Sequence, residues 1–236
     1  MLPADLAVNV MTAPKATLRF VLQVESDFYK ITDICFDDTQ LKTLYSNFTF
    51  VSGIGGYQVG FPRPSFIQDD FYPEISVDNL YTRNSADSYL ARGHYTAKAD
   101  FVYGSQHRAT FHFVNISPQW QTFNGANWNA LEMSVRTYAD RNKLNLDVNT
   151  GTYGVATLPN VNGIENEYVQ SQDTDYLICN DVHSKISWLQ WDQTSIEEGY
   201  SLCCDVDEFR STVSTLPEFS VSGLLIYVNI CSSCSL

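Results

Sequence analysis

Positive charge is scarce in this chain: 14 Lys and Arg stand against 27 Asp and Glu in 236 residues, a net charge of −13. That balance excludes a uniformly basic surface, the usual electrostatic footprint of a nucleic-acid-binding domain. Long apolar runs are missing too, and no stretch approaches the roughly 18 residues that a membrane-crossing helix needs. Residues 1–30 carry no basic segment ahead of an apolar core, so no signal peptide is read there. The six cysteines include Cys231-Ser232-Ser233-Cys234 but no second such pair, which excludes a zinc ribbon. Neither a nucleophile elbow nor a zincin motif appears, so serine-hydrolase and zinc-protease chemistry have no anchor. The low charged content, 17%, beside 44% apolar residues places the chain among globular proteins, not disordered ones.

Aromatic residues are plentiful at 14%, which suits a strand-rich core, and the length allows one domain with a real interior. Residues 41–45 and 48–51 read as strands, and residues 18–24 as a strand in an N-terminal remnant spanning 1–30. The informative stretch is 90–136. Within it the alternation over residues 109–114 predicts a half-buried strand that stops at Asn115 and Pro118, because proline donates no ladder hydrogen bond. Asn124-Gly125 is a turn signal. Trp128, Leu131, Val135 and Tyr138 then fall three or four apart, which predicts a helix. On that helix Trp128, Glu132 and Arg136 share one face, with Glu ahead of Arg in the favourable order. The predicted unit is strand, strand, loop, helix, with His94 on the first strand or at its exit. From Arg92 to Lys143 six basic residues face three acidic ones, a local charge of +3 that leaves −16 for the remainder. A basic patch on an acidic body can still focus a polyanion. Taken singly these features are bland: a lone His is usually structural, Asn-Gly a turn, and Glu132 with Arg136 a solvated pair.

Taken in order they are not. Arg92-Gly93-His94, then Asn115-Ile116-Ser117-Pro118-Gln119, then Asn124 with Glu132 and Arg136, resemble the DNA/RNA non-specific endonucleases with a ββα-metal finger. The wording of the stretch is most similar to secreted arthropod members. The resemblance implies an α+β fold, a central antiparallel sheet carrying the finger, and cleavage of DNA and RNA, single- or double-stranded, to 5′-phosphate ends. It implies His94 as general base, a role that an imidazole neutral near pH 7 suits. Asn124 would hold one hydrated divalent cation, Mg²⁺ or a substitute such as Mn²⁺. Arg92 and Arg136 would fork onto phosphate oxygens, as planar guanidinium groups do. Asn115 and Glu132 would orient the cation's waters and Arg136. Arg83, a weaker phosphate candidate, and Lys98 are further substrate-binding candidates; Arg63 could touch phosphate, but a surface arginine in a loop is more often neutral. One position departs from the family's widest pattern: Ala91 stands where Asp precedes Arg-Gly-His.

The resemblance assigns residues 31–219 to the endonuclease domain and leaves 220–236 as an unmatched tail. Residues 147–158 read as a core strand. The short polar stretch 160–174 predicts that one or two sheet strands of the family are absent, so the sheet is expected to be incomplete there and at the N-terminus. Residues 207–214 read as a short helix. Family members are secreted, and the cysteines with the sequon Asn47-Phe48-Thr49 suit an extracellular, disulfide-bonded protein. Cys179 is expected to pair with Cys203 or Cys204, the full connectivity staying open. No membrane partner is expected, and the oligomeric state is not readable. The competing expectation is a nucleic-acid-binding homologue that has lost turnover through Ala91 or the absent strands, and a third is a gene product that does not fold.

Overall fold

In-and-out alternation of side chains builds the principal sheet. The computed structural model describes residues 5–11, 16–53, 60–72, 90–153, 156–159, 165–168, 203 and 205–213. Strands β1 (Asp5–Met11), β2 (Ala16–Val24), β3 (Asp27–Asp37) and β4 (Lys42–Phe50) form consecutive antiparallel pairs. Two further strands, β5 (Leu90–His94) and β6 (Ile116–Trp120), pair only with each other, as a separate two-stranded ribbon. Strand β7 (Leu146–Gly151) then returns to the main sheet beside β4, which closes the order β1-β2-β3-β4-β7. On β4 the residues Leu44, Ser46, Phe48 and Phe50 point inward and are buried. The outward residues pair across the ladder: Asn47 donates to the Asn149 carboxamide oxygen at 3.0 Å, and Thr49 to Asp147 at 2.7 Å. Asn47, the sequon asparagine, is thus held in mid-strand, and it also accepts from Lys30.

The core gathers Leu18, Phe20, Ile34, Phe36 and Phe48 from this sheet with Phe101, Phe113, Val114 and Ile116 from the segment that carries the ribbon. The sequence reading set residues 1–30 aside as a remnant. β2 lies inside the sheet between β1 and β3, and its Leu18 and Phe20 are 0% exposed. The two strands expected over 41–51 are one continuous strand, β4.

The ribbon segment departs from expectation at one place. Residues 109–114 do not form a strand. A short helix, α1 (Gly104–Ala109), runs into a turn and a 3-10 helix over Phe113–Asn115. The alternation misled because both sets of side chains are buried: Thr110, Phe111, His112 and Phe113 are all covered. A single parallel bridge from His112 to Ile67 is the β-like contact of this stretch. The second finger strand lies one step later, in β6, and includes Pro118 paired with Arg92. Proline is tolerated because both strands of a two-stranded ribbon are edges, so its missing donor can face away from the partner.

After β6 come α2 (Gln121–Gly125) and the expected long helix, α3 (Asn127–Asn142), which ends at Lys143 in the left-handed conformation. α2 packs on α3 and on both strands of the ribbon. Beyond β7, β8 (Ala156–Pro159) and β9 (Glu165–Tyr168) make a separate hairpin, so of the stretch expected to lack strands the described part is itself a strand. A last helix, α4 (Val206–Thr212), begins at Asp205, whose side chain accepts from the Asp207 amide. The architecture is α+β. Arg83, Cys179, Cys204 and the 220–236 tail lie outside the described residues.

Candidate active site

Strand β5 delivers Arg92 and His94 to the same face of the ribbon, two residues apart. His94 is the last residue of that strand, and its ring sits edge-on to Phe111 at 5.2 Å and tilted against Phe66 at 5.8 Å. Two guanidinium groups complete the cage. Arg92 lies over the Phe66 ring and Arg63 over the Phe111 ring, each 4.9 Å from the centroid. Burial, reinforced by the positive charge of Arg63, pushes the imidazole down to about 4, while a hydrogen bond to the Arg92 backbone works weakly the other way. His94 is therefore neutral at pH 7. Its Nε2 is covered and has no hydrogen-bond partner among the described residues, so a lone pair is available there.

The loop bearing Arg63 and Phe66 is fixed independently. The Ile67 amide donates to the Phe111 carbonyl at 2.9 Å, and the Phe113 amide to the Ile67 carbonyl at 3.0 Å. His112 and Asp69 contact each other at 2.6 Å on the same seam. Arg63, weighed in the sequence as a surface arginine, is brought into the site by this seam. No periodicity in the sequence signals such loop docking.

Gly93 lets the two ribbon strands approach. A Cβ there would lie 2.6 Å from Gln119 Oε1, 2.9 Å from Gln119 Cβ and 3.1 Å from the Ser117 carbonyl oxygen. Gly93→Ala is expected to destabilise the protein by about 1–3 kcal/mol, read as a lower urea midpoint. Ala91, the departure from the family pattern, is buried and sits directly opposite Gln119. The Oε1 of Gln119 is buried with no hydrogen-bond partner among the described residues.

Asn115 stands where the 3-10 turn meets β6. It is 0% exposed and its carboxamide is fully engaged: Nδ2 donates to the Thr96 and Thr110 carbonyls at 2.9 and 3.0 Å, and Oδ1 accepts from the Thr96 amide at 3.0 Å. That geometry makes it a brace between the two ends of the finger. The Tyr95 amide donates in turn to the Asn115 carbonyl at 3.0 Å, which ties the exit of β5 to the entry of β6.

Helix α3 supplies Glu132 and Arg136, and α2 supplies the half-buried Asn124. Arg136 is engaged on the protein side. Its Nη1 donates to Asp100 Oδ1 at 2.7 Å and lies 3.7 Å from Glu132 Oε2. Asp100, 4% exposed, was not singled out in the sequence; it closes the 3-10 turn Lys98–Asp100 that also carries Lys98. Burial pushes the Asp100 carboxyl up to about 6 against the pull of Arg136. Burial and then the neighbouring Asp100 charge push Glu132 up to about 7, with Arg136 opposing. Because the raised value favours the protonated form in the fold, Glu132 stabilises below its unfolded value and loses that contribution as pH rises towards 7. Glu132→Gln mimics the protonated form, so in EDTA its melting temperature is expected to exceed the wild type's at pH 8 and to match it below pH 4.5.

The oxygen donors here, the Asn124 carboxamide and the Glu132 carboxylate, are hard ligands of the kind that suit Mg²⁺, which keeps several of its waters. Among the described residues no three His, Cys, Asp or Glu side chains gather as a metal cage.

A profile of the DNA/RNA non-specific endonuclease family matches residues 14–209. A salivary endonuclease of Lutzomyia longipalpis is 28% identical over 148 residues, covering 56% of this chain and 36% of that protein. The salivary protein Tsal2A of Glossina morsitans morsitans is 22% identical over 176 residues, covering 60% and 45%. The chain thus matches less than half the length of these curated relatives. The crystal structure of the EndoG/EndoGI complex superposes with a TM-score of 0.42 at 23% identity, over 62% of this chain and 58% of that one, a likeness too slight to argue from. With its profile match extending over most of its length, the chain belongs to the DNA/RNA non-specific endonuclease family.

Proposed function

We propose that this protein hydrolyses phosphodiester bonds of DNA and RNA with the help of a divalent cation, leaving 5′-phosphate ends. The observation that carries the reading is the His94 imidazole: neutral, with an unpartnered nitrogen, and caged beside two guanidinium groups. In this reading His94 takes the proton of the attacking water at Nε2, the ring nitrogen not spent on the backbone. Arg92 and Arg63 bind the scissile phosphate from the rim of the cage, each aligned by the aromatic ring beneath it. Arg136 turns its outer edge to a phosphate oxygen while Nη1 stays on Asp100, and Lys98 adds a weaker contact. Asn115 keeps the ribbon in shape. Asn124, with Glu132 behind it, would hold the cation, which when bound offsets charge on the phosphate and on the leaving oxygen.

Every group named addresses phosphate, so base preference is expected to be weak. Arginine and lysine contacts to phosphate make binding weaken as salt rises. Secretion is part of the proposal, supported by the cysteine content and the likeness to two salivary proteins.

The deciding experiment is incubation with plasmid DNA and with RNA, in Mg²⁺ and in EDTA. Cleavage that EDTA stops supports the proposal. A gel shift without cleavage favours a binding protein that has lost turnover, as the apolar Ala91 would permit.

A further inference from the structure

We propose that Asp100 is a positioning residue of the active site, one that acts through Arg136 by holding its guanidinium at a fixed distance from the strand that carries His94. The inference rests on the nuclease reading above. Asp100 lies six positions after His94, at the end of the turn that leaves β5. Both of its oxygens are committed. Oδ2 accepts from the Ala97 amide at 3.0 Å, which ties the carboxylate to the exit of the histidine's strand, and Oδ1 accepts from Arg136 on α3 at 2.7 Å. One carboxylate thus spans the two halves of the finger.

Its cost points to a use beyond stability. Burying a charge is expensive, and a buried ion pair can often be replaced by apolar residues with no loss of stability. Here two carboxylates, 4% and 22% exposed at their side chains, share one guanidinium, leaving an excess negative charge in the interior. In return Arg136 is held, among the described residues, through Nη1, with its orientation set before substrate arrives. Among the described residues the charged groups that face Glu132 are Asp100 from the turn and Arg136 from its own helix.

The test compares the wild type with Asp100→Asn, Arg136→Gln and the double variant, in Mg²⁺, from pH 5 to 9, with thermal melts beside the kinetics. Asp100→Asn keeps the shape and loses the charge. It is expected to lower kcat by about ten- to a hundredfold while KM moves by less than about threefold. In the Arg136→Gln background, removing Asp100 should change kcat by less than about twofold. An unchanged kcat overturns the proposal, and so do losses from the two single variants that multiply in the double. If Asp100→Asn does not fold, the double variant against Arg136→Gln alone decides: equal kcat supports the proposal and a further drop overturns it. A wild type that cleaves nothing removes the parent reading and this one with it, a result distinct from cleavage that ignores Asp100.

Discussion

His94→Ala is expected to lower kcat on plasmid DNA and on RNA by about a hundred- to ten-thousandfold, the range general-base catalysis supplies, with KM changed by only a few-fold. In the proposed mechanism the phosphate contacts lie on Arg63 and Arg92, so substrate should still bind, and gel-shift affinity should persist. The fold should survive as well. Removing the ring leaves a gap between Phe66 and Phe111, but it also removes a buried nitrogen that lacks a partner. The pH behaviour gives a second readout. Near 4, the imidazole of the unliganded protein is a weak base. Much of that depression comes from burial and from Arg63, and a phosphate bound to Arg63 cancels the second cause. The histidine should therefore titrate higher with a substrate analogue bound than without, by NMR of the imidazole. Unimpaired cleavage by His94→Ala would remove the histidine from the mechanism altogether.

Asn115→Leu should be the most damaging substitution for stability. It strands the Thr96 amide and the Thr96 and Thr110 carbonyls in a site with no solvent access. Each buried polar group left unpaired costs about 1–3 kcal/mol, so the total is on the order of 3 kcal/mol or more against a typical stability of roughly 5–15 kcal/mol. The damage reaches the site because Asn115 and Thr96 bracket the ribbon. Thr96 Oγ1 in turn donates to Ser46 Oγ at 3.0 Å and is 3.1 Å from Thr32 Oγ1, linking the finger to β3 and β4. Circular dichroism melts should show a large drop in midpoint, and activity at low temperature should fall with it. A variant that melts like the wild type would show that the brace contributes nothing.

Local pattern carried much of this protein. The 3.6-residue spacing of Trp128, Leu131, Val135 and Tyr138 marked α3, and alternation marked β4. The order of Arg92-Gly93-His94, Asn115, Asn124, Glu132 and Arg136 carried the family. These signals are legible because each depends on neighbours in the chain, through a face of one helix or one strand. The misreadings share a cause. Residues 109–114 alternate like a half-buried strand, yet they are covered on both sides by elements distant in sequence. Residues 16–24 look expendable in isolation, and only pairing with β1 and β3 makes them central.

By itself, then, the sequence determined the long helix, parts of β2, β4 and β7, and the roster of chemical groups, because periodicity and residue type are local properties. Tertiary structure alone decided what each group is free to do. It turned Asn115 inward onto Thr96 and Thr110, engaged Nη1 of Arg136 on Asp100, and docked Arg63 and Phe66 around His94. The physical reason is that burial and partnership are set by contacts between segments tens of residues apart, and no spacing along a single chain encodes which of them will meet.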